Sequence, residues 1–296
     1  RPIMDISDRY ALLQSAMAAS ERIFQLLDTP AESAGGQLTQ PVVGSTEAAI
    51  EFDHVFFKYD PQGTDWILED VSFRVSSTHS LALVGATGSG KTTIVNLLCR
   101  FYEVQEGVVK VDGVDVRQWD LHALRRRIGI VQQDVFLFTG DIAGNIRLGE
   151  DSIDTERVER VAAYVNADRF IHRLPGGYQQ PVAEGGSSLS SGQRQLLSFA
   201  RALAFDPQIL VLDEATSSID TETEQLIQDA ISRLMRERTS VVIAHRLSTI
   251  RNADHILVLH HGQVREQGRH EELVRQGGIY ARLHRLHYGA GADTTK

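Results

Sequence analysis

The sequence predicts an α/β fold in which a small antiparallel β subdomain lies beside a core of parallel strands. Three observations support this prediction. A strand-length apolar run at 80–84 leads through a glycine-rich turn into a helix with one apolar face. Two further apolar runs, 208–212 and 239–244, are joined by a helical pattern at 223–235, as in a βαβ unit. Before them, apolar and polar residues alternate over 50–59, which is typical of half-buried strands.

The first residues predict a helix and then a linker. From Asp8 to Leu27 apolar residues recur at helical spacing. Pro30 ends the helix, because it lacks an N–H and disfavours helix in the residue before it. This helix either packs on the domain or is the tail of a longer helix. The stretch 31–48 is rich in Gly, Ser, Thr and Ala and indicates a linker.

Strands dominate the segment after the linker. The alternation at 50–52 is out of phase with that at 55–59, which predicts a β-bulge at 53–54. Further strands are expected at 67–75 and 107–116. These stretches account for the antiparallel subdomain.

The middle of the chain is predicted to be mostly helical. A short helix at 121–126 and a strand at 128–132 come first. The region 136–175 then reads as mainly helical, with candidate helices at 153–163 and 166–174.

The last third begins with a clear helix start. Ser190 followed three residues later by Gln193 is a capping-box pattern, and Asp206-Pro207 ends that helix. After the βαβ unit, residues 256–267 predict a hairpin and residues 271–286 a final helix.

Composition excludes several classes of function. The chain has 296 residues, of which 42% are hydrophobic, so a buried core is expected. A net charge of −9 argues against nucleic acid as a partner. Cys99 is the only cysteine, which precludes an internal disulfide and fits a reducing cytoplasm. No apolar run approaches the roughly 20 residues that span a bilayer, and no signal peptide is evident.

The stretch Gly85–Thr92 has the G-x-x-x-x-G-K-[ST] pattern of a phosphate-binding loop. Its glycines let backbone N–H groups turn inward and form an anion nest at a helix N-terminus. Lys91 is expected to reach the β- and γ-phosphates, and the Thr92 hydroxyl to bind Mg²⁺. The alternative is a turn that binds nothing, but the strand and helix on either side favour the nucleotide site.

Asp213 and Glu214 follow the apolar strand 208–212, at the end where ligands bind in parallel sheets. One carboxylate there can hold Mg²⁺ through its water shell. The other can orient or deprotonate an attacking water. An isolated Asp-Glu pair more often lies on the surface; the buried strand and the upstream loop favour the catalytic interpretation.

Three single residues are weaker candidates. His245 ends the next strand and could contact a γ-phosphate, although an isolated His is usually structural. Gln133 follows the strand at 128–132 and could touch Mg²⁺ or the attacking water. Tyr59 could stack on a flat base, or it could equally be a core aromatic.

With these motifs in place, the chain from Ile50 to about Leu286 resembles the nucleotide-binding domain of an ABC transporter of the exporter type. In that type the domain follows a six-helix membrane domain on one polypeptide. The resemblance implies a P-loop NTPase (RecA-like) core with an antiparallel β subdomain and an α-helical signature subdomain at about 136–206. It divides the chain into the cytoplasmic end of the last transmembrane helix (1–28), a linker (29–48), the ATPase domain (49–286) and a flexible tail (287–296).

The resemblance also implies a role for each matching residue. Residues expected to bind ATP on the same chain are Tyr59, Gly85, Thr87, Gly88, Ser89, Gly90, Lys91, Thr92 and Thr93. Signature residues expected to bind the partner's ATP are Ser190, Gly192 and Gln193. Residues expected at the hydrolysis centre are Glu214, His245 and Gln133, and those at Mg²⁺ are Thr92, Gln133 and Asp213. Glu184 resembles the acidic loop that touches the membrane domain, and Asp220 belongs to a D-loop.

The implied mechanism needs two such domains. They close head to tail around two ATP molecules, each held by one chain's phosphate loop and the other chain's signature. The expected cofactors are ATP and Mg²⁺, and the expected partners are a second nucleotide-binding domain and the chain's own transmembrane domain. The expected location is the cytoplasmic face of the cell (inner) membrane, with this fragment itself soluble. Membrane helices would choose the transported substrate.

One departure from the family pattern is informative. The usual signature is Leu-Ser-Gly-Gly-Gln, and Ser191 replaces its first glycine. A Cβ there could weaken the approach of the backbone to phosphate. This slightly favours a heterodimeric exporter with one impaired site over a homodimer in which serine is tolerated.

Two other classes of protein share these motifs. DNA-repair and chromosome ATPases carry a long coiled coil between phosphate loop and signature, which this sequence lacks. An ATP-gated dimerisation module would need no general base, whereas Glu214 suits that role.

Overall fold

The computed structural model describes residues 2–29, 35–41, 48–213, 220–243 and 247–288. The chain divides into two units, residues 1–34 and 35–296. In the first unit, helix α1 (Pro2–Asp28) confirms the helix predicted over 8–27. In the described part of the chain, no helix has both the length and the apolar character that crossing a membrane requires.

The described strands of the second unit form a four-stranded, a six-stranded and a two-stranded sheet. These strands are β1 (Ala48–Phe57), β2 (Leu68–Ser76), β3 (Ser80–Val84), β4 (Glu106–Val111), β5 (Val114–Asp115), β6 (Ile128–Val131), β7 (Gly140–Asp141), β8 (Pro181–Val182), β9 (Ile209–Asp213), β10 (Thr239–Ile243), β11 (His255–His260) and β12 (Gln263–Gly268).

The described α-helices of this unit lie between or after these strands, with four of them between β6 and β9. They are α2 (Lys91–Leu98), α3 (Leu121–Arg127), α4 (Ile142–Arg147), α5 (Thr155–Tyr164), α6 (Asp168–Ile171), α7 (Ser191–Ala204), α8 (Thr221–Glu237), α9 (Leu247–Asn252), α10 (His270–Gln276) and α11 (Ile279–Tyr288).

The six-stranded sheet has the order β12-β11-β3-β10-β9-β6. Strands β11, β3, β10, β9 and β6 run parallel to one another, and β12 pairs antiparallel with β11. Strands β3 and β10 are buried at every residue, which explains their continuous apolar character. The path from β9 through α8 to the adjacent β10 confirms the predicted βαβ unit.

The four-stranded sheet, in the order β2-β1-β4-β5, is antiparallel as predicted. Its register shifts between Phe52 and Val55, and His54 has a positive φ of 47°. The predicted bulge is therefore present where the alternation changes phase.

Alternate side chains of β3 enter two hydrophobic cores. Leu81 and Leu83 pack with the antiparallel sheet and α2, whereas Ala82 and Val84 pack with the helical region around α7. The segment that follows β3 therefore begins between these two cores.

The helical region differs from its prediction. Residues 136–175 contain short helices, and the candidate over 166–174 is reduced to α6. Strand β7 within this region pairs with β8, and this pairing was not predicted. Two-residue strands carry too little alternation to be recognised from sequence.

The prediction of one final helix over 271–286 was wrong, because the structure has two helices there, α10 and α11. Gly277, with φ of 69°, ends α10, and α11 starts after it. The Glu266 carboxylate accepts hydrogen bonds from the N–H groups of Ile279 and Tyr280, at 2.5 and 3.0 Å. This carboxylate therefore satisfies N–H groups at the start of α11.

Part of the segment assigned to a linker pairs with the core unit. The N–H of Leu38 donates to the carbonyl of Gln118 at 3.2 Å, and the N–H of Asp120 donates to the carbonyl of Leu38 at 2.9 Å. Residues 35–41 belong to the second unit for this reason.

We expect Asn145→Ala to destabilise the chain. This side chain is 3% exposed, and its amide bonds both backbone groups of Phe138 as well as the Arg201 guanidinium. Removing it leaves buried polar groups unpaired, which costs about 1–3 kcal/mol. Urea unfolding should show this loss, whereas the exposed change Gln179→Ala should stay within about 0.5 kcal/mol of wild type. Equal midpoints for both variants would contradict the assignment.

Candidate functional site

The carboxyl ends of adjacent parallel strands meet at one edge of the six-stranded sheet. Asp213 of β9 lies beside Ile243 of β10, and Ile243 lies beside Leu83 of β3. On the other side of β9, Leu212 lies beside Val131 of β6. The strands that precede the predicted site residues thus end together, as expected for a ligand site in an α/β sheet. Glu214 and His245 lie outside the described residues.

The loop after β3 needs glycine at several positions. Gly88 and Gly90 have φ of 79° and 103°, a region that residues with a Cβ rarely adopt. A Cβ on Gly85 would meet the carbonyl oxygen of Leu259 and come within 2.6 Å of Ser89 Oγ. The loop is compact, with the N–H of Ser89 donating to the carbonyl of Ala86 at 3.1 Å.

Lys91, the first residue of α2, lies inside this loop. It is 8% exposed, and its Nζ donates to the carbonyls of Gly85 and Ala86 at 2.7 and 2.9 Å. Burial lowers the pKa of Lys91, and the negative charge of Asp213 opposes that shift. The predicted lysine therefore lies in the loop that follows β3, at the same sheet edge where the predicted Mg²⁺-binding carboxylate ends β9.

The polar groups of the loop fit a phosphate anion. The Ser89 hydroxyl is buried and has no hydrogen-bond partner among the described residues. A buried hydroxyl without a partner is costly, and a phosphate oxygen would satisfy it. The side chains of Thr87 and Thr92 are exposed on the same segment.

Thr92 and Asp213 also offer the oxygen ligands that Mg²⁺ prefers. In the described part of the chain, no group of three or more His, Cys, Asp or Glu residues could hold a metal by itself. Phosphate oxygens and water would therefore have to complete the coordination of Mg²⁺ at these residues.

Tyr59 lies just after β1 and is 45% exposed, so it is not a core aromatic. Its hydroxyl is hydrogen-bonded to the Thr93 hydroxyl at 3.1 Å. The predicted base-stacking residue is thus joined directly to the helix that carries the phosphate-loop lysine.

The remaining predicted residues lie at element ends. Gln133 is exposed, two residues beyond β6. Glu184 is exposed in a short 3₁₀ turn whose next residue, Gly185, donates its N–H to the carbonyl of Leu137. Asp220 caps α8 by accepting the N–H of Thr223 at 2.9 Å, and this hydrogen bonding lowers the pKa of Asp220.

The capping box at the start of α7 is present as predicted. Ser190 Oγ accepts the N–H of Gln193 at 3.2 Å, and Gln193 Oε1 accepts the N–H of Ser190 at 3.0 Å. Because the Gln193 N–H is used in the cap, the hydroxyl proton of Ser190 and the N–H of Gly192 are the better candidate donors to an anion. Among the described residues, no hydrogen bond joins 184–193 to the phosphate loop.

Ser191 is the first residue of α7 and has ordinary helical backbone. Glycine's conformational freedom is therefore not required at this position. Any effect of serine here would come from the bulk of its side chain and not from backbone strain.

Two contacts that hold the loop were not predicted from the sequence. The N–H of Gly262, in the turn between β11 and β12, donates to the carbonyl of Ser89 at 3.3 Å. The Leu68 side chain of the antiparallel sheet lies 2.5 Å from the position of a Cβ on Gly90. The glycine of the predicted hairpin turn was visible in the sequence, but its contact with the loop was not.

Comparison with known proteins agrees with these motifs. A family model described as "ABC transporter" matches residues 68–217. A "fatty acid ABC transporter ATP-binding/permease protein" of Mycobacterium bovis is 46% identical over 96% of this chain and 44% of its own length. An "ATP-dependent lipid A-core flippase" of Legionella pneumophila is 43% identical over 97% of this chain and 48% of its own.

A solved structure is also similar. A bacterial Atm1-family ABC exporter with ATP bound matches with a TM-score of 0.81 and 38% identity, over 97% of this chain and 49% of that one. The chain spans about half the length of the curated relatives it matches.

We expect Ser190→Ala to destabilise the isolated chain through loss of the helix cap. Replacing a serine N-cap by alanine costs about 0.5–2 kcal/mol. Ser191→Ala is the matched control, because the neighbouring serine makes no capping bond and should change stability by less than about 0.5 kcal/mol. Urea unfolding of both variants measures the difference, and an equal effect of the two would argue against the capping role.

Proposed function

This chain belongs to the ABC transporter family, and we propose that it binds and hydrolyses ATP to drive export across a membrane. The observation that carries the proposal is the compact loop after β3, in which Lys91 and the unpaired Ser89 hydroxyl are buried, at the sheet edge where Asp213 ends β9. The name of the Mycobacterium bovis relative combines ATP-binding and permease functions, and that of the Legionella pneumophila relative describes an ATP-dependent flippase; both support the link to transport.

We assign the residues of the chain as follows. The loop N–H groups, Ser89 and Lys91 bind the triphosphate, and Tyr59 stacks on the base. Thr92 and Asp213 hold Mg²⁺, which when bound neutralises charge on the phosphates. At its carboxylate, Glu214 accepts the proton of the attacking water.

Two further side chains complete the proposed hydrolysis centre. Gln133 orients the water or contacts Mg²⁺, and His245 makes a polar contact to the γ-phosphate. Gln133 is exposed just beyond a strand that ends at the same sheet edge as β9, which suits such a role.

We propose that the signature acts on the ATP of a second nucleotide-binding domain. Ser190 is exposed at the start of α7, with no hydrogen bond to its own phosphate loop among the described residues. A helix N-terminus attracts anions through its N–H groups and its dipole. Asp220, in the proposed D-loop, would lie at the same interface between the domains.

The membrane half of the protein is a further part of the proposal. Residues 1–28 continue the last transmembrane helix on the cytoplasmic side, and Glu184 faces the membrane domain. The domain would then work at the cytoplasmic face of the cell (inner) membrane. The length of the relatives, about twice this chain, supports a membrane domain on the same polypeptide.

We further propose that the partner is a different half-transporter. Ser191 adds bulk where backbone must approach phosphate, so the site that it covers would hydrolyse ATP poorly. The chain's own loop, Glu214 and His245 would pair with an unaltered signature from the partner.

Glu214→Gln should nearly abolish ATP hydrolysis by the full-length transporter while leaving ATP binding and domain closure intact. The amide cannot accept the proton of the attacking water at neutral pH. The expected loss in kcat is about 10²-fold or more. Glu222→Gln, an exposed change on α8, is the control and should leave hydrolysis unchanged. Normal turnover in the Glu214 variant would contradict the assignment of Glu214 as the general base.

Ser191→Gly should raise the ATPase rate of the assembled transporter if the serine impairs the site it covers. The proposed cause is removal of a side chain that holds backbone away from phosphate. The measurement is the steady-state rate, together with the identity of the subunits that copurify. An unchanged rate in a complex containing one kind of subunit would support the homodimer.

A further inference from the structure

We propose that Tyr102 is a positioning residue that, with Thr93 and Asn96, holds the Tyr59 ring ready for a purine base. This inference rests on the proposed binding of ATP. It adds a group of residues that prepares the base-stacking position before the nucleotide arrives.

Tyr59 belongs to a cluster of three aromatic rings. Its ring centroid lies 4.9 Å from that of Phe57 and 4.9 Å from that of Tyr102, with interplanar angles of 86° and 84°. The rings of Phe57 and Tyr102 also meet, at 5.8 Å. Such near-perpendicular pairs are favourable for aromatic rings, and neither neighbour is stacked flat on Tyr59.

The hydroxyl end of Tyr59 is held by the phosphate-loop helix. Asn96 Nδ2 donates to Tyr59 Oη at 3.3 Å, and the hydroxyls of Tyr59 and Thr93 are 3.1 Å apart. Thr93 is buried and lies two residues after Lys91. The Tyr59 side chain is thus held through its ring by two aromatic neighbours and through its hydroxyl by α2.

The segment that carries Tyr102 is itself fixed beside β1. Gln105 bonds both backbone groups of Lys58, accepting its N–H and donating to its carbonyl, each at 3.0 Å. This double hydrogen bond aligns the residues after α2 with the end of β1. Tyr102 therefore meets Tyr59 because the backbone on both sides is aligned.

The adjacent aromatic residue has a different partner. The Arg125 guanidinium lies over the Phe101 ring, with its central carbon 4.9 Å from the ring centroid. Among the described residues, Phe101 makes no ring contact with Tyr59. Phe101 and Tyr102 are 48% and 46% exposed, so they are similar in exposure and type. Phe101 is for that reason a matched control.

Fixing an exposed aromatic side chain in advance strengthens binding. Ordering a mobile side chain on association reduces affinity by about 2- to 10-fold. A ring that is already held avoids this loss, but only for a ligand with a base to stack on it. Loss of Tyr102 should therefore weaken ATP binding without affecting a bare polyphosphate.

The test measures equilibrium binding of Mg·ATP and Mg·tripolyphosphate to the full-length transporter carrying Tyr102→Ala, Tyr102→Phe or Phe101→Ala. Tyr102→Ala should raise Kd for ATP about 2- to 10-fold and leave Kd for tripolyphosphate unchanged. KM for ATP should rise while kcat stays the same. Tyr102→Phe keeps the aromatic ring and should retain wild-type affinity for ATP. Phe101→Ala should leave Kd for both ligands unchanged.

Two results would overturn the inference while leaving the proposed function intact. One is wild-type ATP affinity in Tyr102→Ala. The other is equal weakening of ATP and tripolyphosphate, which would indicate a general structural defect. If the alanine variant fails to fold, Tyr102→Leu replaces it, with the same expected split between the two ligands. Failure of the wild-type protein to bind Mg·ATP would instead reject the proposed function itself.

Discussion

The parallel pairing of β3, β10, β9 and β6 is the constraint on which the candidate site depends. Hydrogen bonds between neighbouring strands set their register, so Leu83, Ile243 and Asp213 lie side by side at one edge. Groups far apart in sequence are thereby brought to the same edge of the sheet. The electrostatic interaction between Lys91 and Asp213 follows from this arrangement.

The phosphate loop is also held by elements outside the parallel strands. The turn between β11 and β12 bonds the loop through Gly262, and Leu68 of the antiparallel sheet limits the space at Gly90. Tyr59, which follows β1 of the antiparallel sheet, is also joined to α2 by the hydrogen bond between its hydroxyl and that of Thr93. The antiparallel subdomain therefore supports the loop as well as carrying the residue proposed to stack on the base.

The signature helix presents its N-terminus separately from this loop. The capping box gives α7 a defined start, and the exposed residue Ser190 is its N-cap. Under the proposed function, this end and the phosphate loop would be two complementary half-sites. ATP would then have a physical reason to join two domains, because neither half alone would surround the phosphates.

Local patterns in the sequence determined the βαβ unit, the bulge beside His54 and the cap at Ser190, because each depends on residues close together along the chain. The phosphate loop was recognised for the same reason. Only the tertiary structure decided the pairing of β7 with β8 and the meeting of Tyr59 with Tyr102. Both contacts join segments that are far apart in sequence, and no periodic pattern of residues predicts such contacts. Packing of the two cores determines which segments become neighbours.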